Sequence, residues 1–383
     1  MQGTFLIFDE YTTFSDIKNK DGVVKKVNNQ IKAFRNASIT MSISCVGWRL
    51  YGKPLEKLIF FVRQTIKLPF INPKPSFLED IQNYDFIYMR RPPYINPNFL
   101  RMLKKIKMEK PSIKIIMELP SYPYDKEISN LIHYPILLKD RLARRHLHKY
   151  VDRIATLNDD KEIFGIQTIK IKNGYDFASF PARIPTPPQE PSINICCVAM
   201  FAFWHGYERL IQGLYNYLQE TNNRRLIRIH FAGEGAELEK YKKLVASLGL
   251  GKYVYFYGRL DSKALKELYN SVDIGMNSLG IYKTGGTVGM QLKTREYLAV
   301  GLPIVTGVHL DLHDYEEIAP YILEFPNEPS PVDMQKIVDF YDGLKLSSVD
   351  DATRIANYLH ETGEKYLGMD AAMKNVIDYV RGI

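Results

Sequence analysis

Residues 285–305 read GGTVGMQLKTREYLAVGLPIV, a glycine-bearing loop followed by a short helix and the start of a strand. The loop contains three glycines: Gly285, Gly286 and Gly289. A loop that leads into a helix presents free backbone N–H groups and the positive end of the helix dipole, and both features suit a phosphate. The alternative is an ordinary loop, helix and strand with a surface ion pair between Lys293 and Glu296, which lie on one helical face. Both interpretations are open from this stretch alone.

Strands alternate with helices ahead of this stretch, and helices are predicted after it. In the second half, strands are predicted at 193–200, 226–231, 253–257 and 272–276, and helices at 207–218, 236–248, 262–271, 331–344, 350–361 and 363–382. In the first half, strands are predicted at 4–8, 39–45, 84–89, 113–117, 153–157 and 168–171, and helices at 23–34 and 97–110. This alternation predicts parallel, doubly wound α/β domains.

A further helix is predicted near residues 138–150. Its buried side is expected to carry four apolar residues: Leu138, Leu142, Leu147 and Val151. Its other side carries basic residues and two histidines, His146 and His148, which have no metal-ligand spacing with any cysteine. We therefore expect no zinc site there.

The segment FPARIPTPPQEPS at 180–192 has five prolines in thirteen residues. Such a segment cannot join a helix or a central strand, so it marks a domain boundary. We predict an N-terminal α/β domain at 1–180, a hinge at 181–192 and a C-terminal α/β domain at 193–360. A C-terminal helix at 361–383 is expected to pack back on the N-terminal domain.

The composition is that of a soluble globular chain, with 383 residues, 45% of them apolar and 25% charged. Of the three cysteines, Cys196 and Cys197 are neighbours in a predicted strand and point to opposite faces, so they are poor disulfide partners. We expect a reduced, cytoplasmic protein. We also expect neither a signal peptide nor a membrane span, because no apolar run approaches ~20 residues.

The net charge of +8 is unevenly distributed. Residues 1–180 contain 30 Lys and Arg against 18 Asp and Glu, and the remaining residues contain 21 against 25. A basic first half can serve nucleic acid, anionic lipid headgroups or acidic substrates, and a solvated basic face without a partner is the open alternative.

Four segments, in this order, resemble motifs of the retaining glycosyltransferases of family four (group 1), which have the GT-B fold. They are IKNGYD at 171–176, FAGEG at 231–235, the segment from YGRL at 257 to VDI at 274, and REYLAVGLP at 295–303. The resemblance implies two Rossmann-like domains that face each other across a cleft. It also implies transfer of a sugar from a nucleotide sugar, expected to be a UDP-sugar, to a glycan or lipid-linked glycan with retention of configuration.

The resemblance also implies roles for individual residues. Glu296 is expected to accept hydrogen bonds from the donor ribose hydroxyls, a task that suits a carboxylate. Gly285, Gly286 and Thr287 are expected to line the diphosphate, with Lys293 nearby. The remaining donor-binding predictions are Arg259 and Leu260 beside the nucleobase, Gly233 after the second strand of the donor domain, and Gly22 in the N-terminal domain. No metal or other cofactor is expected.

The chain departs from the family pattern at the reaction centre. Val288 stands where the first acid of the Glu-x7-Glu motif is expected, and Met200 and His205 replace an Arg and a Lys that hold the leaving diphosphate. Where many members have a histidine, this chain has a run that begins with Glu118. We predict Glu118, Lys293 and His205 as the catalytic set. Solvent-exposed residues without chemistry are the alternative for Glu118 and His205, and His205 in a functional role is expected to be partly protonated.

These departures keep other functions open. The first is a non-catalytic GT-B subunit that binds a glycan or a partner enzyme, and the second is a nucleotide-sugar epimerase. Nucleic-acid binding is disfavoured because no motif that reads DNA or RNA accompanies the basic residues. The basic helices near 97–110 and 138–150 suggest that the protein contacts the inner face of an anionic membrane peripherally. The alternative is a basic face that is only solvated.

Overall fold

The structure, a computed structural model, describes residues 1–9, 21–47, 81–92, 94–125, 134–186, 190–220 and 225–383. The chain divides into two compact units: unit 1 is Met1–Gly174 with Met369–Ile383, and unit 2 is Tyr175–Gly368. The chain therefore passes from unit 1 to unit 2 after Gly174. This boundary lies before the proline-rich segment at 180–192, which was predicted to be the domain boundary.

The strands of the described residues are β1 Gln2–Asp9, β2 Thr40–Gly47, β3 Phe86–Arg90, β4 Lys114–Leu119, β5 Arg153–Thr156, β6 Glu162–Ile163, β7 Ile166–Lys170, β8 Ser192–Val198, β9 Leu226–Ala232, β10 Val254–Gly258, β11 Ile274–Met276, β12 Val288–Gly289, β13 Ile304–Thr306, β14 His309–Leu310 and β15 Ile322–Glu324. The α-helices are α1 Asp21–Asn36, α2 Pro97–Glu109, α3 Tyr134–Arg144, α4 Glu208–Gln219, α5 Leu238–Ser247, α6 Ser262–Ser271, α7 Leu292–Val300, α8 Met334–Gly343, α9 Val349–Leu367 and α10 Met369–Arg381.

Unit 1 is built on a sheet with the strand order β2-β1-β3-β4-β5-β7-β6, parallel except for the β6–β7 pair. Successive residues of its strands enter different cores, as the strand period requires. Leu6 joins the cluster that contains α2, whereas Phe5 joins the cluster that contains α1 and α10. The final helix of the chain therefore completes the core of unit 1.

Unit 2 contains a parallel sheet with the order β10-β9-β8-β11-β13-β15 and a short parallel pair, β12-β14. The chain runs from β8 outward to β10 in one direction and from β11 to β15 in the other. The two units are thus doubly wound α/β units, which confirms the predicted fold class. The switch of direction lies between β8 and β11, and in such sheets ligands bind beyond the carboxyl ends of the strands at the switch.

The helix predicted near 138–150 differs from the prediction in its extent and in its buried face. Helix α3 ends at Arg144 and a separate 3₁₀ turn follows at Leu147–Lys149. Leu138 and Leu142 are 48% and 55% exposed, because the face turned inward carries Asp140 instead. The Asp140 carboxylate accepts hydrogen bonds from the Ile95 N–H at 2.7 Å and from the Tyr124 hydroxyl at 2.6 Å. These partners compensate the burial of a charged group, so a polar residue takes the inner position.

None of the helices among the described residues combines the length and the hydropathy that a membrane span needs.

Candidate functional site

The segments that leave the strands at the switch point of unit 2 form the candidate site. They are residues 199–206 after β8, 233–235 after β9, 259–260 after β10 and 277–280 after β11, together with the loop at 284–291 that enters α7. Because all these strands are parallel, their carboxyl ends meet at one edge of the sheet. The edge therefore brings together most of the residues that the sequence predicted as donor-binding.

Gly233 allows two of these segments to pass in close contact. A Cβ atom built on Gly233 would lie 1.9 Å from the Ala199 carbonyl oxygen, and the backbone φ angle of Gly233 is +136°. The Gly233 N–H donates to the Gly258 carbonyl at 2.7 Å. The glycine is therefore required by packing between the strand ends, and its N–H already has a partner. Direct donor binding by Gly233 stays a prediction.

Lys293 extends from the first turn of α7 toward Tyr207, the residue before α4. Its Nζ donates to the Tyr207 hydroxyl at 3.1 Å and lies 5.4 Å from the centre of that ring. The Tyr207 hydroxyl in turn donates to the Met276 carbonyl at 3.2 Å, at the end of β11. The tyrosine thus fixes the position of the lysine amine at the switch point.

Burial lowers the pKa of the Lys293 amine to about 7, with the nearby thiols of Cys196 and Cys197 acting in the opposite direction. About half of the amine is therefore neutral at pH 7. A negatively charged group beside Nζ favours the protonated form and raises the pKa. The arrangement can therefore respond to a bound anion by taking up a proton.

His205 lies in the 3₁₀ turn Phe203–His205 and is buried. Its ring stacks on Tyr207 with 5.6 Å between centroids, and its Nδ1 accepts from the Ala202 N–H at 2.9 Å. Burial, followed by the Lys293 charge, lowers the pKa of His205 to about 3. The expectation of a partly protonated histidine is therefore wrong. Nδ1 also lies 3.2 Å from the Ala202 carbonyl oxygen, so Nε2 of the neutral ring is a donor in one tautomer and an acceptor in the other.

Glu296, one turn after Lys293, reaches a different set of partners. Its Oε1 accepts from the Tyr269 hydroxyl at 2.6 Å. Burial, the Glu296 charge and a hydrogen bond to this carboxylate raise the pKa of the Tyr175 phenol. The carboxylate is therefore held in an environment of hydroxyl groups. This is the chemistry that ribose binding requires, although the predicted ribose contact itself stays a prediction.

The glycine loop is largely exposed. Gly285 is in the left-handed region with φ of +72° and has open space where a side chain would be. The Gly286 carbonyl accepts from Asn327 at 2.8 Å, and Thr287 is exposed. Val288, at the position of the missing acid, is 51% exposed. The residue that precedes α7 makes no side-chain cap hydrogen bond, so its first turn keeps N–H groups available to an anion.

Arg259 and Leu260 follow β10, which is the outermost strand on that side of the sheet. Arg259 is exposed and Leu260 is half-buried. They lie at the same carboxyl edge as the other segments, two strands away from β8.

Sequence reasoning missed the residues that orient α7. Arg295 is fully buried, forms an ion pair with Asp311 and donates to Thr294 Oγ1 at 2.9 Å. Asn277 is also fully buried and donates to Gln291 Oε1 at 3.2 Å, directly before α7. The contacts of Arg295 with Asp311 and of Asn277 with Gln291 join residues in different segments of the chain, so no local sequence pattern predicts them.

Glu118 does not line an open surface of unit 1. The side chain is fully buried, and Oε2 accepts from Gln30 and from the Tyr88 hydroxyl, both at 2.7 Å. Lys26 Nζ lies 3.4 Å and Arg90 Nε 3.9 Å from Oε1. Burial raises the pKa of this carboxyl, but the two cations and the hydrogen bonds outweigh it and hold the pKa below its ordinary value. The predicted catalytic role of Glu118 stays a prediction, because the structure shows an ionised, internally paired carboxylate in place of a residue at an open surface.

Gly22, the other prediction in unit 1, lies in the first turn of α1.

Among the described residues, one group of histidine and carboxylate side chains has the separation that a metal ion needs: His309, His313 and Glu324. It belongs to β14, the turn after it and β15, and not to the predicted catalytic set.

Comparison with known proteins gives one family match and several solved structures of similar fold. Residues 192–315 match the family model described as Glycosyl transferases group 1. Curated protein sequences give no match. A glycosyltransferase from Rickettsia africae is similar over 100% of this chain and 98% of its own, with a TM-score of 0.60 and 13% identity. The HepE protein of Anabaena in complex with UDP aligns over 100% of both chains with a TM-score of 0.58 and 13% identity. Sucrose-phosphate synthase from Thermosynechococcus elongatus aligns over 100% and 99%, with a TM-score of 0.58 and 14% identity.

The predicted resemblance to group 1 glycosyltransferases is confirmed over residues 192–315, and the fold is GT-B, while family four and retention stay predictions. The matched residues contain β8 to β14 and α7, so they include the whole candidate edge. The predicted enzyme class, a glycosyltransferase, agrees with this match.

Proposed function

We propose that this chain, a GT-B protein with a group 1 glycosyltransferase domain, transfers a sugar from a UDP-sugar to a glycan or lipid-linked glycan acceptor with retention of anomeric configuration. UDP is favoured among nucleotides because HepE of Anabaena, which shares the fold, was crystallised with UDP and with UDP-glucose. The donor diphosphate binds at the carboxyl edge of unit 2.

The observation that carries this proposal is the position of Lys293. An amine with a pKa of about 7 beside the open first turn of α7 is about half charged at pH 7 without a ligand and gains charge beside a diphosphate. The N–H groups of α7 supply neutral donors at the same edge. Together they suit an anionic group whose charge changes during a reaction.

Each of these groups has a role in the proposed reaction. As the bond between the donor sugar and the diphosphate breaks, negative charge grows on the leaving phosphate oxygen. The acceptor oxygen forms its bond on the same face of the sugar, and its proton passes to the leaving diphosphate. Lys293 and the helix N–H groups stabilise this developing charge, which is the most effective place to apply electrostatic stabilisation. Glu296 holds the ribose hydroxyls and keeps the diphosphate in register with Lys293.

Calorimetric titration with UDP, GDP and ADP tests the donor site. We expect UDP to bind most tightly, and binding at pH 7 to take up about half a proton, read from titrations in two phosphate-free buffers, Tris and HEPES, that differ in ionisation enthalpy. Lys293→Ala is expected to remove this uptake and weaken binding, whereas Lys336→Ala, an exposed lysine of α8, serves as the matched control. Failure of all three nucleotides to bind would overturn the proposal.

Glu296→Ala separates the ribose contact from the diphosphate contact. We expect weaker UDP binding by the variant but unchanged proton uptake, since Lys293 is retained. Glu267→Ala, an exposed acid of α6, is the control. Unchanged UDP affinity in Glu296→Ala contradicts the ribose role. A panel of UDP-sugars, followed by product anomer analysis, then tests transfer and retention.

We also propose that unit 1 contacts an anionic membrane through α3. Leu138 and Leu142 are exposed leucines on α3, and the exposed Arg145 follows directly after this helix. A cavity of about 470 Å³ on the same unit is lined by three arginines and two aromatic residues: Tyr122, Arg141, Arg144, Arg145 and Phe164. Exposed leucines beside basic groups suit the boundary of an anionic bilayer.

Cosedimentation with vesicles tests the membrane contact. We expect the protein to bind vesicles of phosphatidylcholine with phosphatidylglycerol and not phosphatidylcholine alone. The double change Leu138→Ser and Leu142→Ser is expected to reduce binding, and Met108→Ser, an exposed methionine on α2, is the control. Equal binding by the double variant contradicts this contact.

A further inference from the structure

We propose that His309, His313 and Glu324 form a binding site for a zinc-class divalent metal ion, separate from the diphosphate site. The three side chains converge at the carboxyl ends of β13 and β15, where Thr306 pairs with Glu324. The sequence carries only part of this signal, the His-x3-His spacing at 309–313, because Glu324 is brought in by the sheet.

The separations of the ligand atoms suit a small metal ion. Glu324 Oε2 lies 3.1 Å from His309 Nδ1 and 3.4 Å from His313 Nε2, and all three ligand atoms lie within 4.8 Å of one another. Tetrahedral zinc with bonds of about 2.0–2.1 Å places its ligands roughly 3.3 Å apart. The two imidazole rings are stacked, with centroids 4.5 Å apart and planes inclined by 15°, so at least one ring must turn before both nitrogen lone pairs can point at one ion.

The orientation of His313 is set by its other ring nitrogen. His313 Nδ1 lies 3.0 Å from the Leu310 carbonyl oxygen and 3.2 Å from the Leu310 nitrogen. In the tautomer in which Nδ1–H donates to the carbonyl, Nε2 presents a lone pair toward Glu324. Metal-binding histidines commonly donate their second N–H to a backbone carbonyl in this way. Two lone pairs then face each other across 3.4 Å, which requires a cation or a proton between them.

The ligand chemistry selects the class of metal. Imidazole nitrogen suits zinc and its transition-metal neighbours, whereas magnesium and calcium prefer sites made wholly of oxygen atoms. His309 and Glu324 are partly open to solvent, so an ion can enter and water can occupy a fourth position. The competing explanation is a pair of hydrogen bonds from protonated imidazoles to one carboxylate.

A metal at this point would brace the loop before α7. In the β12–β14 pair, Val288 pairs with His309 and Gly289 with Leu310. An ion that joins His309 and His313 to Glu324 therefore links β15 to the strand that holds the glycine loop. The expected consequence is a more stable unit 2, and the transfer reaction itself needs no step at the metal.

Zinc titration of chelator-treated protein without a histidine tag tests the proposal. We expect one equivalent of Zn²⁺ to bind and to raise the melting temperature, with no comparable effect of Mg²⁺. Co²⁺ bound at the same site is expected to give the visible absorption bands of tetrahedral coordination. His313→Ala and Glu324→Gln are expected to weaken zinc binding by at least about 100-fold, whereas His148→Ala, an exposed histidine of unit 1, is the control.

The outcomes separate the alternatives. Glu324→Gln keeps the size of the side chain, so it decides the case if His313→Ala does not fold. No stoichiometric zinc binding by the wild-type protein, or equal binding by Glu324→Gln, overturns the proposal and leaves the two hydrogen bonds as the explanation. Because zinc binding is measured without nucleotide, and UDP binding can be measured with chelator present, the two proposals fail or succeed independently.

Discussion

Replacement of Lys293 by methionine is expected to stabilise the protein and at the same time weaken its binding of UDP. Methionine has a similar length and fills the same space without a charge. In the folded chain the pKa of Lys293 is about 7, whereas the unperturbed lysine value is 10.5. Between these values the unfolded chain binds a proton that the folded chain does not, so the lysine lowers stability, and this cost decreases as the pH rises from 7 toward 10.5.

The magnitude follows from the two pKa values. The cost is about 5 kcal/mol at pH 6, about 4 kcal/mol at pH 7 and about 2 kcal/mol at pH 9. Water reaches part of the Lys293 side chain, which reduces these values, and the lost hydrogen bond to Tyr207 offsets about 1 kcal/mol more. We therefore expect Lys293→Met to gain about 2 kcal/mol at pH 7, or roughly 4–8 °C in melting temperature.

Urea unfolding of the wild type and of Lys293→Met at several pH values between about 6 and 9 measures this effect. Lys336→Met, at an exposed lysine of α8, controls for the loss of a surface charge. The stability difference between wild type and Lys293→Met must decrease as the pH rises. A difference that is independent of pH, or a loss of stability at every pH, refutes the lowered pKa. Weaker UDP binding by the stabilised variant is the trade-off expected at a functional site.

Three further substitutions test the packing and the buried charges. Gly233→Ala is expected to destabilise the chain by more than about 3 kcal/mol in urea unfolding, because its Cβ meets the Ala199 carbonyl, whereas Gly249→Ala, also at positive φ but with open space, should cost about 1 kcal/mol. Arg295→Met leaves Asp311 unpaired and should cost about 3 kcal/mol, part of which Asp311→Asn restores in the double variant. The pKa of Glu118 lies below its ordinary 4.5, so the stability that its charge provides is lost as the pH falls below that value. The gap between wild type and Glu118→Gln should therefore narrow on acidification, and a constant gap speaks against an ionised Glu118.

The fold was accessible from the sequence because its signals are local. Helix α2 was expected at 97–110 and runs from Pro97 to Glu109. Asn96 explains the accuracy of its start, since its side chain accepts from the Phe99 N–H at 2.9 Å and Pro97 fills the first helical position. Gly301 ends α7 in the left-handed conformation, as its place after the helical pattern predicts.

The protonation states of Lys293 and His205 could not be predicted from local sequence patterns. Lys293 and Tyr207 are 86 positions apart, and the neutral state of His205 depends on burial and on the Lys293 charge. The inward side of α3 was misjudged for a related reason: the partners of Asp140 come from other parts of unit 1. Periodicity describes which residues are apolar, but it does not reveal which polar residue finds a partner inside the fold.

The family pattern expects an arginine and a lysine at the leaving diphosphate, and this chain has neither. Lys293 is therefore the cation that we propose beside the diphosphate. Met200, in place of an arginine, is 82% exposed, and the neutral His205 replaces a lysine. A permanent charge at this buried edge would lower stability at every pH, whereas the Lys293 amine is about half neutral at pH 7 when no anion is present. At pH 7 the proton needed for the proposed diphosphate binding costs less than about 1 kcal/mol, and the cost rises by about 1 kcal/mol for each pH unit above the pKa. A lysine with a pKa of about 7 therefore supplies nearly the full attraction of a permanent cation at neutral pH, and this attraction weakens progressively in alkaline solution.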